Sequence, residues 1–257
     1  MTNNDLFSLL SGQIVSDEYA SDAVTQHLHE DFADTGYVKL PNFFIEPTRN
    51  LIARQLRNIE PISRRKDFVM PGYETPRRLS VVGGDRILEE CFPLAMVYAN
   101  HDLWSVLSSI TGKKLYPVAH PEEFIVANFL LDEDDTHGWH LDDPQFALIV
   151  VSAAPQQDEG GLLEFVSNWR AFCARHDLCP EKDAENAVKL ARARGEVRQC
   201  HHSAGECYLI NAAENLHRVT PIVGRDTRRA LNMAFDDRPD RQFGNTATLL
   251  YGEEEHV

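Results

Sequence analysis

The stretch His137-Gly-Trp-His-Leu-Asp-Asp-Pro-Gln-Phe-Ala-Leu-Ile-Val150 decides how this chain is read. It holds an H-x-D pair, His140 and Asp142, that runs into an apolar, β-branched stretch. In an extended strand side chains alternate faces, so the pair points one way with ligand atoms close enough to share one metal ion. His217, in Asn215-Leu-His-Arg-Val-Thr-Pro-Ile222, is the candidate third ligand. Two imidazoles and one carboxylate take one face of an octahedron and leave three positions open, the donor set of non-haem iron(II) oxygenases. An isolated H-x-D is a weak signal, and the bland reading of His140 is an ordinary half-buried strand histidine. Context argues against that reading. After His217 come a turn and Arg228, and on the strand that follows Arg228, Ala230, Asn232 and Ala234 share one face. An arginine facing inward among small side chains needs a carboxylate for its five donors, and a dicarboxylate cosubstrate supplies one.

Composition narrows the function classes. The chain has 257 residues with no Pro/Gly/Ser-rich linker or abrupt shift in composition, which favours one domain over 1–257 with a helical N-terminal extension over 1–35. Its 40 acidic against 25 basic residues give a formal charge of -15, which opposes binding to nucleic acid or an anionic membrane. Five scattered cysteines without a C-x-x-C, and a polar, acidic N-terminus, suggest reduced thiols and a cytoplasmic protein. No apolar run reaches membrane-spanning length; Phe146 to Ala154 reads as a buried strand.

Along the chain, Asp5–Leu10 and Ala23–Asp34 show short helical patterns. Gly36 to Phe44 meets Pro41 as an edge strand would, and Glu46 to Ile59 reads as an amphipathic helix. Residues 64–84 concentrate cations, Pro and Gly without a sustained period. They read as a loop, over a site or simply exposed, with Gly83-Gly84 as a turn. Ile87–Ala99 and Asp102–Ile110 read as two helices, the second closed by Gly112. From Glu122 onward the period becomes strand-like, interrupted by one helix at about Ala184–Arg194, with Asp158-Glu-Gly-Gly and Val223-Gly-Arg-Asp as turns. Helices first and strands afterwards imply an α+β chain: a double-stranded β-helix (jelly-roll, cupin-like) core with flanking N-terminal helices. Cys200-His-His with Cys207 lacks zinc-ribbon or finger spacing and reads as sheet surface. Trp139, between two candidate site residues, faces the opposite side, into the core.

His140-x-Asp142, His217 and Arg228 reproduce the order and approximate spacing of the iron(II)/2-oxoglutarate-dependent dioxygenases, and His217-Arg-Val-Thr-Pro-Ile leading to Arg228-Arg-Ala-Leu resembles their distal motif. More narrowly, Thr136-His-Gly-Trp-His-x-Asp-Asp, Gly160-Gly-Leu-Leu-Glu and the Pro76-Arg77 segment are similar to the BesD-like free-amino-acid halogenases and hydroxylases, over roughly residues 36–251. The resemblance implies iron(II), 2-oxoglutarate and dioxygen, with Arg228 on the far carboxylate of 2-oxoglutarate. Halogenases of that family carry Gly or Ala at the metal carboxylate and admit chloride there. Asp142 therefore implies the hydroxylase branch.

The same resemblance places Glu123 at a substrate side-chain ammonium, His137, Asp143 and Asn232 around the bound amino acid, and Arg77 at its carboxylate. Glu122 or Arg78 could stand in for its neighbour. Ala234 and Tyr251 stand where the lysine halogenase has Thr and Trp, a departure that bears on substrate and regiochemistry. The expected activity is hydroxylation of a free, basic L-amino acid such as lysine. Another amino acid, desaturation, or a cupin-like metal-binding domain without turnover are the alternatives; oligomeric state is not legible.

Overall fold

A computed structural model describes residues 8–251. The strands are β1 (Tyr37–Leu40), β2 (Arg64–Met70), β3 (Thr75–Val82), β4 (Tyr116–Pro117), β5 (Ile125–Leu130), β6 (Thr136–His140), β7 (Phe146–Ala153), β8 (Leu163–Val166), β9 (Arg198–Cys200), β10 (Cys207–Ile210), β11 (Leu216–Val219) and β12 (Arg228–Asp236). They join in the order β1-β10-β7-β12-β5-β3-β6-β11-β8-β9, with β2 on β3 and β4 on β12. Strand β3 is the fold's corner. Ser80, Val81 and Val82 pair with β5, whereas Arg77 and Arg78 pair with β6, so the sheet curls into a half-barrel with a larger and a smaller wall. This is the double-stranded β-helix anticipated above.

The helices cover the outer faces. Glu46–Ile59 forms as its periodicity indicates, burying Leu51, Ile52, Leu56 and Ile59 into a core shared with Leu148 and Val150 of β7 and Leu231 and Met233 of β12. Each fully buried Leu, Ile or Phe contributes about 1.5–3 kcal/mol, so this layer is the main apolar store of the fold. Ile14, Val15, Tyr19 and Phe32 enter the same cluster, with Asp22–Thr35 helical. The helical pattern at Asp5–Leu10 lies outside the described residues except for Ser8 to Leu10, which are helical. Behind the smaller wall, helices Trp169–Arg175 and Ala184–Ala193 pack Phe172, Ala187 and Ala191 against Trp139, Val166 and Leu216.

Three expectations are corrected. Residues 64–84 are a β-hairpin, β2 and β3, and not a loop; β3 is buried at Leu79, Val81 and Val82, so it shows no two-residue alternation. Ile87–Ala99 is two helices, Gly84–Glu90 and Phe92–Tyr98, broken at Cys91 (φ -145°) because Pro93 has no N–H for the ladder. The Cys200 cluster is not surface: His202 and Cys207 are buried. The helix His101–Thr111 ends as expected at Gly112 (φ +65°) and is capped at its start by the Asn100 side chain. At the Asp158–Gly161 turn, a Cβ on Gly160 (φ +85°) would meet the Pro221 carbonyl oxygen at 1.9 Å, so only glycine fits.

Candidate metal centre and substrate cavity

His140 ends β6 and His217 lies on β11, where the two are direct register partners. Asp142 is not on a strand. It lies just past β6, tied by its backbone N–H to the Ala212 carbonyl at 3.0 Å. Its Oδ1 stands 3.3 Å from His140 Nε2 and 3.7 Å from His217 Nε2, and one ligand atom of each residue falls within 4.8 Å of the others. The triad thus assembles as the sequence indicates, through a strand end and a loop tie in place of strand alternation.

The donor chemistry fits a divalent iron. His140 Nδ1 is 2.7 Å from the Gly138 carbonyl and His217 Nδ1 is 2.9 Å from the Asn215 carbonyl. Each Nδ1 therefore carries the proton, and each Nε2 lone pair faces Asp142. Burial, then His217, lowers His140 to about 4, so the imidazole is neutral. Burial alone would raise the Asp142 carboxyl, but His217, His140 and Arg77 outweigh it and keep it below the usual range, hence ionised. Among the described residues this is the group with metal-site geometry.

The triad opens into a cavity of about 170 Å³ between the two walls. Every residue singled out from the sequence lines it: Arg77 from β3, Glu123 ahead of β5, His137 from β6, Asp143 beside Asp142, and Arg228 and Asn232 from β12, the latter with Ala230 and Ala234 on the same face. The chain between β12 and the end of the described residues closes one side, with Asn245, Thr246, Leu249 and Tyr251 against the cavity. Trp139 points the other way, as expected, under the Arg218 guanidinium.

The polar atoms that face the cavity are short of partners. Arg77 is 1% exposed; its Nη1 donates to the Gly138 carbonyl at 3.1 Å while its Nε has no partner. A Cβ at Gly138 would lie 2.7 Å from the Pro76 carbonyl oxygen, so glycine lets β6 approach β3 at this contact. Burial lowers Arg77 to about 10, which leaves it a cation at neutral pH. His137 stacks on His140 with ring centroids 4.0 Å apart; burial lowers it well below its usual value, and its Nε2 is unpaired. On the acidic side, Glu123 Oε2, Asp143 Oδ2 and Asn232 Oδ1 also lack partners. Burial, then Asp143, Asp142 and Asp236, push Glu123 up to about 8.

The alternatives to neighbouring residues separate cleanly. Arg78 is exposed and pairs with Asp67, and Glu122 lies against Gly83 away from the cavity. Arg229, next to Arg228, points outward to Glu60. Arg228 itself is buried, and among the described residues it forms no ion pair; its Nη2 donates to the Tyr208 hydroxyl at 3.4 Å. Tyr208 and the hairpin residues Met70 and Tyr73 also line the cavity, and no role was assigned to them from sequence. For Tyr208 the signal was present: Tyr208 and Ile210 alternate inward along β10.

The sequence matches the family model described as HalD, Halogenase D, over residues 20–249. No curated protein sequence matches the chain. Among solved structures, AviO1 from Streptomyces viridochromogenes Tue57 is similar at 16% identity, covering 85% of this chain and 96% of that one with a TM-score of 0.61. A prolyl hydroxylase from Trichoplax adhaerens, in complex with a hypoxia inducible factor oxygen degradation domain peptide, matches at 13% identity over 94% and 96% with a TM-score of 0.59. The non-haem α-ketoglutarate-dependent epimerase SnoN from nogalamycin biosynthesis matches at 12% identity over 84% of each chain with a TM-score of 0.61. With a family match of that span, and a histidine, aspartate, histidine triad at the mouth of a double-stranded β-helix, the chain belongs to the Halogenase D family and is an iron(II)/2-oxoglutarate-dependent oxygenase.

Proposed function

We propose that this protein hydroxylates an unactivated C–H bond of a free, basic L-amino acid such as lysine. The observation that carries the reading is Asp142: a carboxylate oxygen within reach of both imidazoles would fill the coordination position that chloride takes in halogenases of this kind. Iron(II) with 2-oxoglutarate and dioxygen supplies the oxidising power to break such a bond. His140, Asp142 and His217 would hold the metal, and Arg228 would hold the far carboxylate of 2-oxoglutarate.

The remaining residues orient the substrate. A zwitterion with a distal amine needs a cation for its carboxylate and acceptors for its ammonium groups. Arg77 and His137 on one side, with Glu123, Asp143 and Asn232 on the other, have the unpaired atoms to meet those needs. Charge-assisted bonds at both ends fix which carbon faces the metal. Met70, Tyr73 and Tyr251 also line the cavity and bound the space beside these groups. Among the described residues no helix is long and apolar enough to cross a membrane, and all five cysteines are free thiols, which supports a cytoplasmic location.

The test is to supply iron(II), 2-oxoglutarate, oxygen and excess chloride with each of the twenty amino acids and ornithine, following succinate and product mass. A basic amino acid should give the most succinate, and its product should be heavier by one oxygen. A chlorinated product would overturn the hydroxylase assignment, and a best substrate with an apolar side chain would overturn the basic-substrate assignment.

A further inference from the structure

The row of residues that carries both imidazoles is backed by a second row on the outer face of the smaller wall. On the cavity side, Phe165, His217 and His140 are register partners across β8, β11 and β6. On the outer side, Gln199, Glu164 and Arg218 are register partners across β9, β8 and β11. That outer row ends on Trp139 of β6, with the Arg218 guanidinium carbon 5.0 Å from the centre of its ring. Successive residues of a strand face opposite ways. Arg218 follows His217 and Trp139 precedes His140, so each member of this cation–π pair stands directly behind one metal ligand.

The backbone ladder is irregular at this point. His140 is the last residue of β6, and the register shifts between His217, opposite His140, and Val219, opposite His137. The extra residue in β6 lets His137 and His140, three apart, both face the cavity, and it interrupts the ladder beside the ligands. The pair behind them is itself anchored. Arg218 Nε donates to Glu164 at 2.7 Å, and Glu164 is held in turn by Arg192 and Gln199. Trp139 packs in the core that contains Trp169, Phe172 and Leu216. A buried ionic group adds little stability over apolar residues of the same volume. A planar guanidinium that both forks to a carboxylate and stacks on a ring does fix one position.

We propose that Trp139 and Arg218 act as one clamp on the outer face that sets the spacing of His140 and His217, and so are positioning residues for the metal. The inference rests on the reading of His140, Asp142 and His217 as the iron ligands, and it is independent of which substrate the cavity takes. Neither side chain lines the cavity. Both act through the backbone that they share with the ligands.

The experiment titrates full-length, metal-free protein with Co(II), whose visible absorption reports the geometry of its ligands. Arg218→Met keeps the stem and removes the charge; it should raise Kd for Co(II) on the order of 10-fold and shift the absorption band. Arg218→Lys, which keeps a cation over the ring, should restore most of the affinity. Trp139→Leu should weaken binding in the same way. The double variant Arg218→Met/Trp139→Leu should be no weaker than the weaker single variant, because residues that act as a unit are not additive. An unchanged Kd and band in Arg218→Met, or additive losses in the double variant, would reduce the pair to packing and overturn the proposal. If Arg218→Met does not fold, Trp139→Leu and Trp139→Phe decide: Phe keeps a ring face for the guanidinium and should recover affinity, and equal Kd values for the two would overturn the clamp. Failure of the underlying reading is distinct, since His140→Ala would then bind Co(II) as tightly as unmodified protein.

Discussion

His140 and His217 face each other as register partners across β6 and β11, and each ring is set by a bond from Nδ1 to the carbonyl two residues before it. The ladder fixes the distance between the two backbones, and the local bond fixes each ring. Both Nε2 atoms thereby aim at Asp142.

His140→Ala or His217→Ala should therefore abolish stoichiometric iron binding and activity while the fold persists. Each substitution removes a single backbone-directed hydrogen bond, worth about 1 kcal/mol. Metal content measured beside the thermal melt checks this; a variant that keeps both iron and near-native turnover would show the triad is misassigned.

Asp142→Gly would remove the carboxylate ligand and leave two imidazoles to hold iron. On the hydroxylase reading, hydroxylation should fall to a small fraction, with at most partial chlorination, because loss of one of three ligands would weaken iron binding at the site. Mass spectra of the product, read for the chlorine isotope pattern, report the outcome. Full hydroxylation by this variant would mean that Asp142 is not the iron carboxylate.

Glu123 sets a pH dependence. Its carboxyl is pushed up to about 8 by burial and the neighbouring carboxylates, yet an ammonium group requires the ionised form. Affinity for the proposed basic amino-acid substrate should rise as pH climbs through about 8, with the amine still protonated below about 10.4, and Glu123→Gln should lose both the rise and much of the affinity. The sign for stability is opposite: a raised folded value stabilises fully below the unfolded value of about 4.3 and the contribution is lost as pH rises through the folded value, so substrate-free protein should melt lower above pH 8. A flat pH profile of substrate binding in the unmodified protein would exclude Glu123 as the ammonium partner.

Behind the smaller wall, Glu164 accepts from Arg192 at 2.9 and 3.2 Å, Arg218 at 2.7 Å and Gln199 at 3.1 Å, tying β8, β9 and β11 to the helix Ala184–Ala193. Burial acts to raise this carboxyl, but the two arginines outweigh it and lower it. Glu164→Gln should cost about 1.5–3 kcal/mol in chemical denaturation. With a depressed folded value the contribution is present above the unfolded value of about 4.3 and lost as pH falls through the folded one, so the difference between the two proteins should shrink in acid. An unchanged denaturation midpoint at neutral pH would refute the role.

Much of this was legible in the chain because it depends on local chemistry. The H-x-D pair, His217 and the inward face from Arg228 to Ala234 follow from residue type and a two-residue period. The helix Glu46–Ile59 follows from its apolar spacing, and Gly112 from the left-handed turn it caps. The β2 and β3 hairpin escaped notice because β3 is buried on both faces at its end and β2 is largely charged, so neither alternates. The helix Trp169–Arg175, at seven residues, is too short to show a period.

What the sequence by itself determined is the set of metal donors, the run of strands from Glu122 onward that carries them and the class of fold that those strands build. Only the tertiary structure decided which neighbour faces inward, Arg77 and not Arg78, Glu123 and not Glu122. It also joined Tyr37 to His202 across 165 residues behind Tyr208 and Arg228. Periodicity is a local property of the backbone, whereas the enclosure that leaves a polar atom without a partner is made by strands distant in sequence meeting in one register.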